Sequence, residues 1–213
     1  MQIIMVTNNA LEDKIGGLER YVSELSGTLA RRGHEVSIVA KRWSGDQPAR
    51  ERRPDGVVID RHPVPSKGNP FYAPLYPAYV ATGVTRRTRG QTTGTVVHAH
   101  MGVPALSLAL RRQPYVLTFH APVWRELLSE RQGTYLLPPA MQDRAVSALR
   151  RAEGLVARRA ARAVVLSEFM RSELSLLDRA TGRRARVIPG GIDPTRFNGS
   201  PAAEREERRA PPR

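Results

Sequence analysis

The sequence predicts an α/β fold in which helices cover both faces of one doubly wound, parallel sheet of about seven strands. Short apolar runs of strand length alternate along the chain with segments whose apolar residues recur at helical spacing. The runs are nearly continuous in apolar character, as expected for strands buried on both faces. The segments between them are long enough for right-handed helical crossovers, so the fold is expected to be Rossmann-like.

The predicted strands are apolar runs bounded by glycine, proline or charged residues. They are residues 2–7, 35–40, 56–61, 95–99, 114–119, 162–167 and 185–189. The run at 2–7 has neither a basic lead nor a cleavage site of small residues, so it indicates a strand rather than a signal peptide. A polar, arginine-rich loop is predicted between 35–40 and 56–61. Five prolines predict extended or turning chain over 63–77.

The predicted helices are residues 17–32, 77–89, 103–112, 140–161 and 168–178. In the first helix, Leu18, Val22 and Leu25 recur at helical spacing, and Gly33 is placed to end it. Ser167 is placed to cap the start of the last helix.

The helix predicted at 140–161 has two different faces. Its apolar stripe consists of Ala145, Leu149, Ala152, Val156 and Ala160. Its basic stripe consists of Arg144, Arg151, Arg158 and Arg162. The basic stripe is either a solvated helix face or a contact with an anionic acceptor or the cytoplasmic face of a membrane.

The formal net charge is +14, and arginine supplies all but three of the 34 basic residues. Such a skew arises from GC-rich codon usage without any selected partner. An anionic membrane surface or an anionic substrate would also explain it. Nucleic acid is the least favoured partner, because no zinc finger, RNP motif or Gly-x-x-Gly clamp accompanies the charge.

Composition also limits the class of protein. The absence of cysteine excludes disulfides and thiolate metal sites and fits a cytoplasmic protein. No apolar stretch approaches the ~20 residues that a membrane span requires. Residues 198–213 are polar and proline-rich, so a linker or disordered tail is predicted after one domain at 1–197.

Doubly wound sheets bind ligands at the carboxyl ends of their strands. After the first predicted strand, a loop leads to Gly16 and Gly17 at a helix start. Paired glycines there let backbone N–H groups approach an anion, which the helix dipole also favours. The loop is too long for a dinucleotide fingerprint, and no Lys-Ser/Thr follows for a Walker loop. A flexible turn would explain the glycines equally well.

Histidines end two other predicted strands. His98 and His100 alternate along the fourth strand, so their side chains should lie on the same side of it. His100 is the better binding candidate, and His98 is expected to be a packed core histidine. His120 follows the fifth strand, where it either donates to a sugar hydroxyl or developing charge or serves a structural role. No carboxylate lies nearby in sequence, so no metal site is predicted.

The order of these motifs resembles the amino-terminal domain of glycosyltransferase family 4 over about residues 1–197. The matching segments are Gly16 to Val22, Arg32 to Val36, His98 to His100, Leu117 to His120, Leu166 to Glu168, and Val187 to Asp193 with Phe197. The resemblance implies the amino-terminal half of a GT-B fold. It also implies sugar transfer from a nucleotide donor with retention of configuration, in a cleft between two Rossmann-like domains. Neither a metal nor a cofactor beyond the nucleotide-sugar co-substrate is implied.

The resemblance assigns roles to matching positions. Gly16 and Gly17 would approach the donor phosphates from across the cleft. His120 would lie beside the transferred sugar as the catalytic residue. Asn9 and His100 would face an acceptor whose identity the sequence does not give. Arg144, from the basic helix, is also predicted to bind this acceptor.

The sequence departs from the family in two places. Gly190 stands where the family usually has asparagine. The family's donor domain carries two glutamates separated by seven residues, and no two glutamates in this chain have that spacing, so the main donor-binding chemistry is expected to be missing from it. The chain alone is therefore expected to be inactive and to need a carboxyl-terminal donor-binding domain in cis or in trans.

Two other classes of function compete with a transferase half. One is a non-catalytic, glycosyltransferase-like binding module that pairs with a separate partner chain. The other is a nicotinamide-dependent oxidoreductase. The oxidoreductase is disfavoured because Ala40 and Lys41, rather than an acidic residue, end the second strand.

Overall fold

The computed structural model describes residues 1–42, 44–65, 72–89, 94–125 and 139–191 and confirms the predicted α/β class. The tail predicted at 198–213 lies outside the described residues. Within them, no helix combines the length and apolar character needed to cross a bilayer.

The described strands form one sheet in the order β3-β4-β2-β1-β5-β6-β7-β8. They are β1 Gln2–Val6, β2 Glu35–Arg42, β3 Arg50–Arg52, β4 Val58–Pro63, β5 Thr95–Ala99, β6 Val116–Phe119, β7 Arg162–Val165 and β8 Arg186–Val187. All neighbouring pairs are parallel except β3 with β4. The sheet is therefore parallel, as predicted, with one antiparallel strand at its edge.

The extra strand β3 corrects the loop predicted between the second and third strands. Its residues are all charged, so no apolar run indicates it. Arg50 pairs with Asp60 and Arg52 with Val58 at the outer edge of β4. An edge strand can remain polar because solvent covers its free side, and charge there also discourages pairing with other chains.

The helices are α1 Gly17–Arg31, α2 Tyr72–Thr88, α3 Gly102–Leu110, α4 Pro139–Arg159, α5 Glu168–Leu177 and α6 Arg179–Arg184. Helix α2 begins at Tyr72, within the segment predicted to be extended, and Pro74 falls in its first turn, where a missing N–H costs nothing. Helix α6 was not predicted. It begins where a carboxylate oxygen of Asp178 accepts a hydrogen bond from the backbone N of Thr181 at 2.8 Å.

Strand β1 separates two hydrophobic cores. Ile3 and Met5 face the core that α1 covers, whereas Ile4 and Val6 face the core that α2, α3, α4 and α5 cover. Of the apolar stripe predicted on α4, Val156 and Ala160 are buried and Ala145 is exposed. The stripe therefore faces the core only toward the carboxyl end of α4.

The direction of winding reverses at β1, which pairs with β2 on one side and β5 on the other. The chain leaves β1 at Thr7, whose backbone N donates to the carbonyl of Val39 at 3.0 Å. On the other side, the backbone N of His100 donates to the carbonyl of Val6 at 2.9 Å. The loops after β1 and β5 therefore begin at the same level and diverge, and a crevice opens between them.

A buried ion pair fixes the loop between β1 and α1. The guanidinium of Arg61, at the end of β4, donates from Nε to Oδ2 of Asp13 and from Nη2 to Oδ1, both at 2.9 Å. Its Nη2 also lies 2.8 Å from Oε2 of Glu51. The side chains of Arg61 and Asp13 are 1% and 3% exposed. The loop is thus held to the sheet by charges that solvent hardly screens.

We predict that Arg61→Leu lowers the free energy of unfolding by about 3–5 kcal/mol, because it leaves the Asp13 carboxylate buried without its cation. Urea denaturation measures this loss. Arg52→Leu, on the exposed strand β3, is the matched control and should change stability by no more than about 0.5 kcal/mol. Equal, small effects of both substitutions would show that the ion pair does not hold the loop.

Candidate functional site

A cleft of about 440 Å³ opens at the carboxyl ends of β5, β6 and β7, against the first turns of α1. Its lining includes Gly17 and Tyr21 from α1, His100 after β5, His120 after β6 and Glu153 from α4. The cleft adjoins the point where winding reverses, which is where doubly wound sheets bind ligands. It is the candidate active site.

Three histidines meet at this cleft. His98 and His100 lie on the same side of the chain, with ring centroids 4.1 Å apart, which confirms the predicted alternation. Nδ1 of His100 is 3.2 Å from Nε2 of His120, and Nε2 of His98 is 2.7 Å from Oγ1 of Thr118. Strands β5 and β6 are parallel neighbours, so residues at their carboxyl ends come together.

Burial keeps this histidine cluster neutral. Burial is the main cause that lowers the pKa of His98 to about 4, and the charge of His120 adds to it. Burial also lowers the pKa of His120 to about 4, although the Glu19 carboxylate acts in the opposite direction. The pKa of His100 lies well below its ordinary value because the ring is buried beside two other histidines. At pH 7 the cluster therefore offers hydrogen-bond donors and acceptors rather than positive charge.

Tyr21 packs over the histidines. Its ring meets His120 edge-on, with centroids 4.9 Å apart, and the His100 centroid lies 5.9 Å away. Burial raises the pKa of Tyr21, and a hydrogen bond with Thr118 only partly opposes that rise.

A Cβ at Gly190 would stand 3.8 Å from Cδ2 of Tyr21, so the space at that position does not require a glycine.

The first turn of α1 is open toward the cleft at Gly17 and filled behind Gly16. Nothing lies within 4 Å of the position that a Cβ of Gly17 would occupy. A Cβ on Gly16 would instead clash with Oε2 of Glu19 and lie 3.3 Å from its Cδ. The Glu19 carboxylate, which is 7% exposed, accepts a hydrogen bond from Nδ2 of Asn9 at 2.7 Å. Since it lies at the positive end of α1, it offsets part of the charge that would attract an anion.

Glu153 supports the cleft from behind. It is 3% exposed, and its two carboxylate oxygens accept from the backbone N of Val123 at 3.0 Å and of Trp124 at 3.3 Å. A Cβ on Gly102 would lie 2.9 Å from Cγ of Glu153, so the glycine leaves space for this carboxylate. Glu153 therefore ties α4 to the segment that follows His120.

The structure brings some of the predicted site residues together. Gly17, His100 and His120 line the cleft together, and Gly16 caps the helix that borders it. Ser167, predicted as a helix cap, accepts a hydrogen bond from the backbone N of Met170 at 3.2 Å.

Two predicted acceptor-binding residues lie outside the lining of the cleft. Asn9 is 5% exposed and bonded to Glu19 behind the start of α1. Arg144 lies on the exposed face of α4. The functional roles assigned to these residues stay predictions. Among the residues that the structure describes, no group of three or more histidines and carboxylates could hold a metal ion.

Three residues at the cleft were not predicted from the sequence: Tyr21, Glu19 and Glu153. Helical spacing could have revealed Tyr21, because it stands four residues after Gly17 and shares its face. Glu19 occupies the third helical position, where a carboxylate commonly folds back over the helix start. Glu153 could have been noticed as an acidic residue on the face of α4 that carries Val156.

Comparison with known proteins identifies the family. The family model of Glycosyltransferase Family 4 matches residues 15–196. Among solved structures, the chain is similar to sucrose-phosphate synthase from Thermosynechococcus elongatus, at 16% identity and a TM-score of 0.66. It is also similar to Anabaena Alr3699/HepE in complex with UDP, at 14% identity and a TM-score of 0.61. A third similar structure is WaaG, a glycosyltransferase involved in lipopolysaccharide biosynthesis, at 20% identity and a TM-score of 0.59. No curated protein sequence matches the chain.

The match covers nearly all of this chain and about half of each neighbour. The three structural alignments include 99%, 98% and 97% of this chain but only 53%, 49% and 50% of the other chains. These neighbours have the GT-B fold, and the chain corresponds to one Rossmann-like half of it.

The lowered histidine pKa values predict that acid weakens the fold. An unfolded histidine binds a proton near pH 6.5, whereas folded His98 and His120 bind one only near pH 4. Stability is therefore complete above pH 6.5 and falls as the pH drops toward 4. Between pH 7.5 and 5, each histidine should remove about 2 kcal/mol from the free energy of unfolding.

Urea denaturation at a series of pH values measures this loss. His98→Asn should remove about a third of the pH dependence that the cluster contributes, because His100 and His120 would remain. A free energy of unfolding that stays constant from pH 7.5 to 5 would contradict the neutral cluster.

Proposed function

Because the chain belongs to glycosyltransferase family 4, we propose that it is the acceptor-binding half of a retaining glycosyltransferase. The observation that carries the proposal is the shared cleft, where the open start of α1 faces a hydrogen-bonded pair of histidines, His100 buried and His120 half-buried. In this role the chain positions an acceptor against a nucleotide sugar that a second domain binds. That domain follows in cis or is supplied in trans.

His120 acts in this proposal as a hydrogen-bond donor to the transferred sugar. Its pKa of about 4 makes it a poor reservoir of protons at pH 7. A neutral imidazole still carries one N–H, which can bind a sugar hydroxyl in a cleft where solvent screens little. The proposed contribution is therefore orientation and stabilisation of the reacting sugar.

Gly16 and Gly17 let the donor phosphates approach the start of α1. The open space beside Gly17 supports this role, since backbone N–H groups at a helix start attract anions. Glu19 weakens the attraction from the same position. Most of the affinity for the nucleotide sugar is therefore assigned to the donor-binding domain.

The acceptor side combines His100 and Asn9 with the basic face of α4. His100 lies within the cleft, and Asn9 shapes the neighbouring loop through Glu19. Arg144 and Arg151 are exposed on α4, where they can meet an anionic acceptor or the headgroups of a cytoplasmic membrane. We place the protein in the cytoplasm, with this face as its contact to anionic partners.

Binding of nucleotide sugar to the chain alone is predicted to be weak, with Kd on the order of millimolar. Calorimetry with UDP-glucose and ADP-glucose as probes measures it. Glu19→Gln keeps a hydrogen-bond acceptor for Asn9 but removes the opposing charge, so it should tighten binding about two- to fivefold. Micromolar affinity of the unaltered chain would show that the main donor site lies in this chain. Unchanged affinity of the Glu19→Gln variant would show that the donor phosphates do not bind at the start of α1.

In the complete enzyme, with the donor-binding domain in cis or in trans, His120→Ala should lower kcat/KM roughly a hundredfold, or about 3 kcal/mol. The chain without that domain should show no transfer. His34→Ala, at the opposite end of the sheet, is the control and should keep kcat/KM near normal. Thermal midpoints of the same preparations separate lost activity from lost folding. Near-normal kcat/KM in His120→Ala would remove this residue from the site.

A further inference from the structure

The contact between His100 and His120 restricts where their protons lie. Nδ1 of His100 and Nε2 of His120 face each other at 3.2 Å, which is hydrogen-bond distance. Two neutral rings can bond here only if one of the facing nitrogens carries a proton and the other does not. Burial keeps both rings neutral at pH 7. The bond therefore links the tautomer of one ring to that of the other.

The second nitrogen of His100 indicates the direction of the bond. Nε2 of His100 is buried and has no hydrogen-bond partner among the described residues, and the side chain is 1% exposed. A proton there would be a buried donor without an acceptor, which is rarer in proteins than a buried acceptor without a donor. The proton of His100 consequently belongs on Nδ1, from which it points at His120.

We propose that His100 is a positioning residue that holds His120 as the Nδ1–H tautomer. His100 donates from Nδ1 to Nε2 of His120, so the single proton of His120 lies on its own Nδ1. No described residue is hydrogen-bonded to that Nδ1. The N–H is thereby kept for a hydroxyl or carbonyl oxygen bound in the cleft. This assignment of a ligand rests on the proposed function, but the tautomer itself does not.

The arrangement reverses the ordinary preference of histidine, since the free neutral side chain in water favours the proton on Nε2. The neighbouring rings leave His120 little freedom to turn. Tyr21 meets it edge-on at 4.9 Å, and His100 lies on another side at 5.5 Å between centroids. A ring confined in this way retains the tautomer that its hydrogen-bond partner selects.

Long-range ¹H–¹⁵N correlation spectra of the 213-residue chain at pH 7.5 test the proposal directly. The chain has only five histidines, so each can be assigned by substitution. The expected result is a protonated Nδ1 and an unprotonated Nε2 in both His100 and His120. A protonated Nε2 on His120 in the unaltered protein would overturn the proposal without any variant.

Two substitutions at position 100 separate hydrogen bonding from packing. His100→Leu removes the donor, so His120 should revert mainly to the Nε2–H form. His100→Asn places an amide N–H near the former Nδ1, so His120 should keep its proton on Nδ1. His34→Asn is the control, because it lies at the opposite end of the sheet and leaves the His100–His120 contact unchanged. If His100→Leu fails to fold, the unaltered protein and His100→Asn still decide the matter.

Activity of the complete enzyme then tests the use of this tautomer. His100→Leu should lower kcat/KM roughly tenfold, as expected for one misdirected hydrogen bond, and His100→Asn should restore most of it. Should His120 be the Nδ1–H form in an enzyme that is insensitive to His120→Ala, the proposed role of His120 in the site fails and the tautomer assignment stands. An Nε2–H form of His120 in an enzyme that loses activity on His120→Ala would reject the positioning role of His100 and keep His120 in the site.

Discussion

The central position of β1 is the constraint on which the rest of the structure depends. This strand is buried on both faces and hydrogen-bonded along both edges, to β2 and to β5. Because the winding reverses there, the segments that follow β1 and β5 leave the sheet at one level and separate. The cleft is the space between them and the neighbouring β6 and β7 ends. Any change that shifts β1 would therefore move His100 relative to the start of α1.

Burial, rather than charge, determines the chemistry that this half can offer. The cleft is lined by His100 and His120, whose pKa values are too low for them to be cations at pH 7, and the start of α1 already carries the carboxylate of Glu19. Such a surface orients hydroxyl groups well but neutralises little phosphate charge. A partner domain that supplies positive charge would complement it. Such a division of roles between two domains agrees with the finding that this chain covers about half of each glycosyltransferase it resembles.

The sequence predicted those features that depend on local pattern. Apolar runs located the buried strands, alternation put His98 and His100 on one side, and a serine before a helix located the cap at Ser167. Strand β3 escaped prediction because an edge strand needs no apolar residues. The burial of Asn9 was also not predictable, since it depends on Glu19 folding back from the helix. Glu153 likewise gains its role only when α4 packs beside the segment after β6.

The missing side chain at Gly16 has a consequence for how this sequence can vary. Glu19 Oε2 occupies the volume that a Cβ at position 16 would need, so a larger residue there requires the Glu19 side chain to move. A protein of this type that acquires alanine or serine at position 16 would have to shorten or redirect residue 19. Asn9 would then lose its hydrogen-bond acceptor. Positions 9, 16 and 19 are therefore coupled through the side chain of Glu19, although the first and last are ten positions apart.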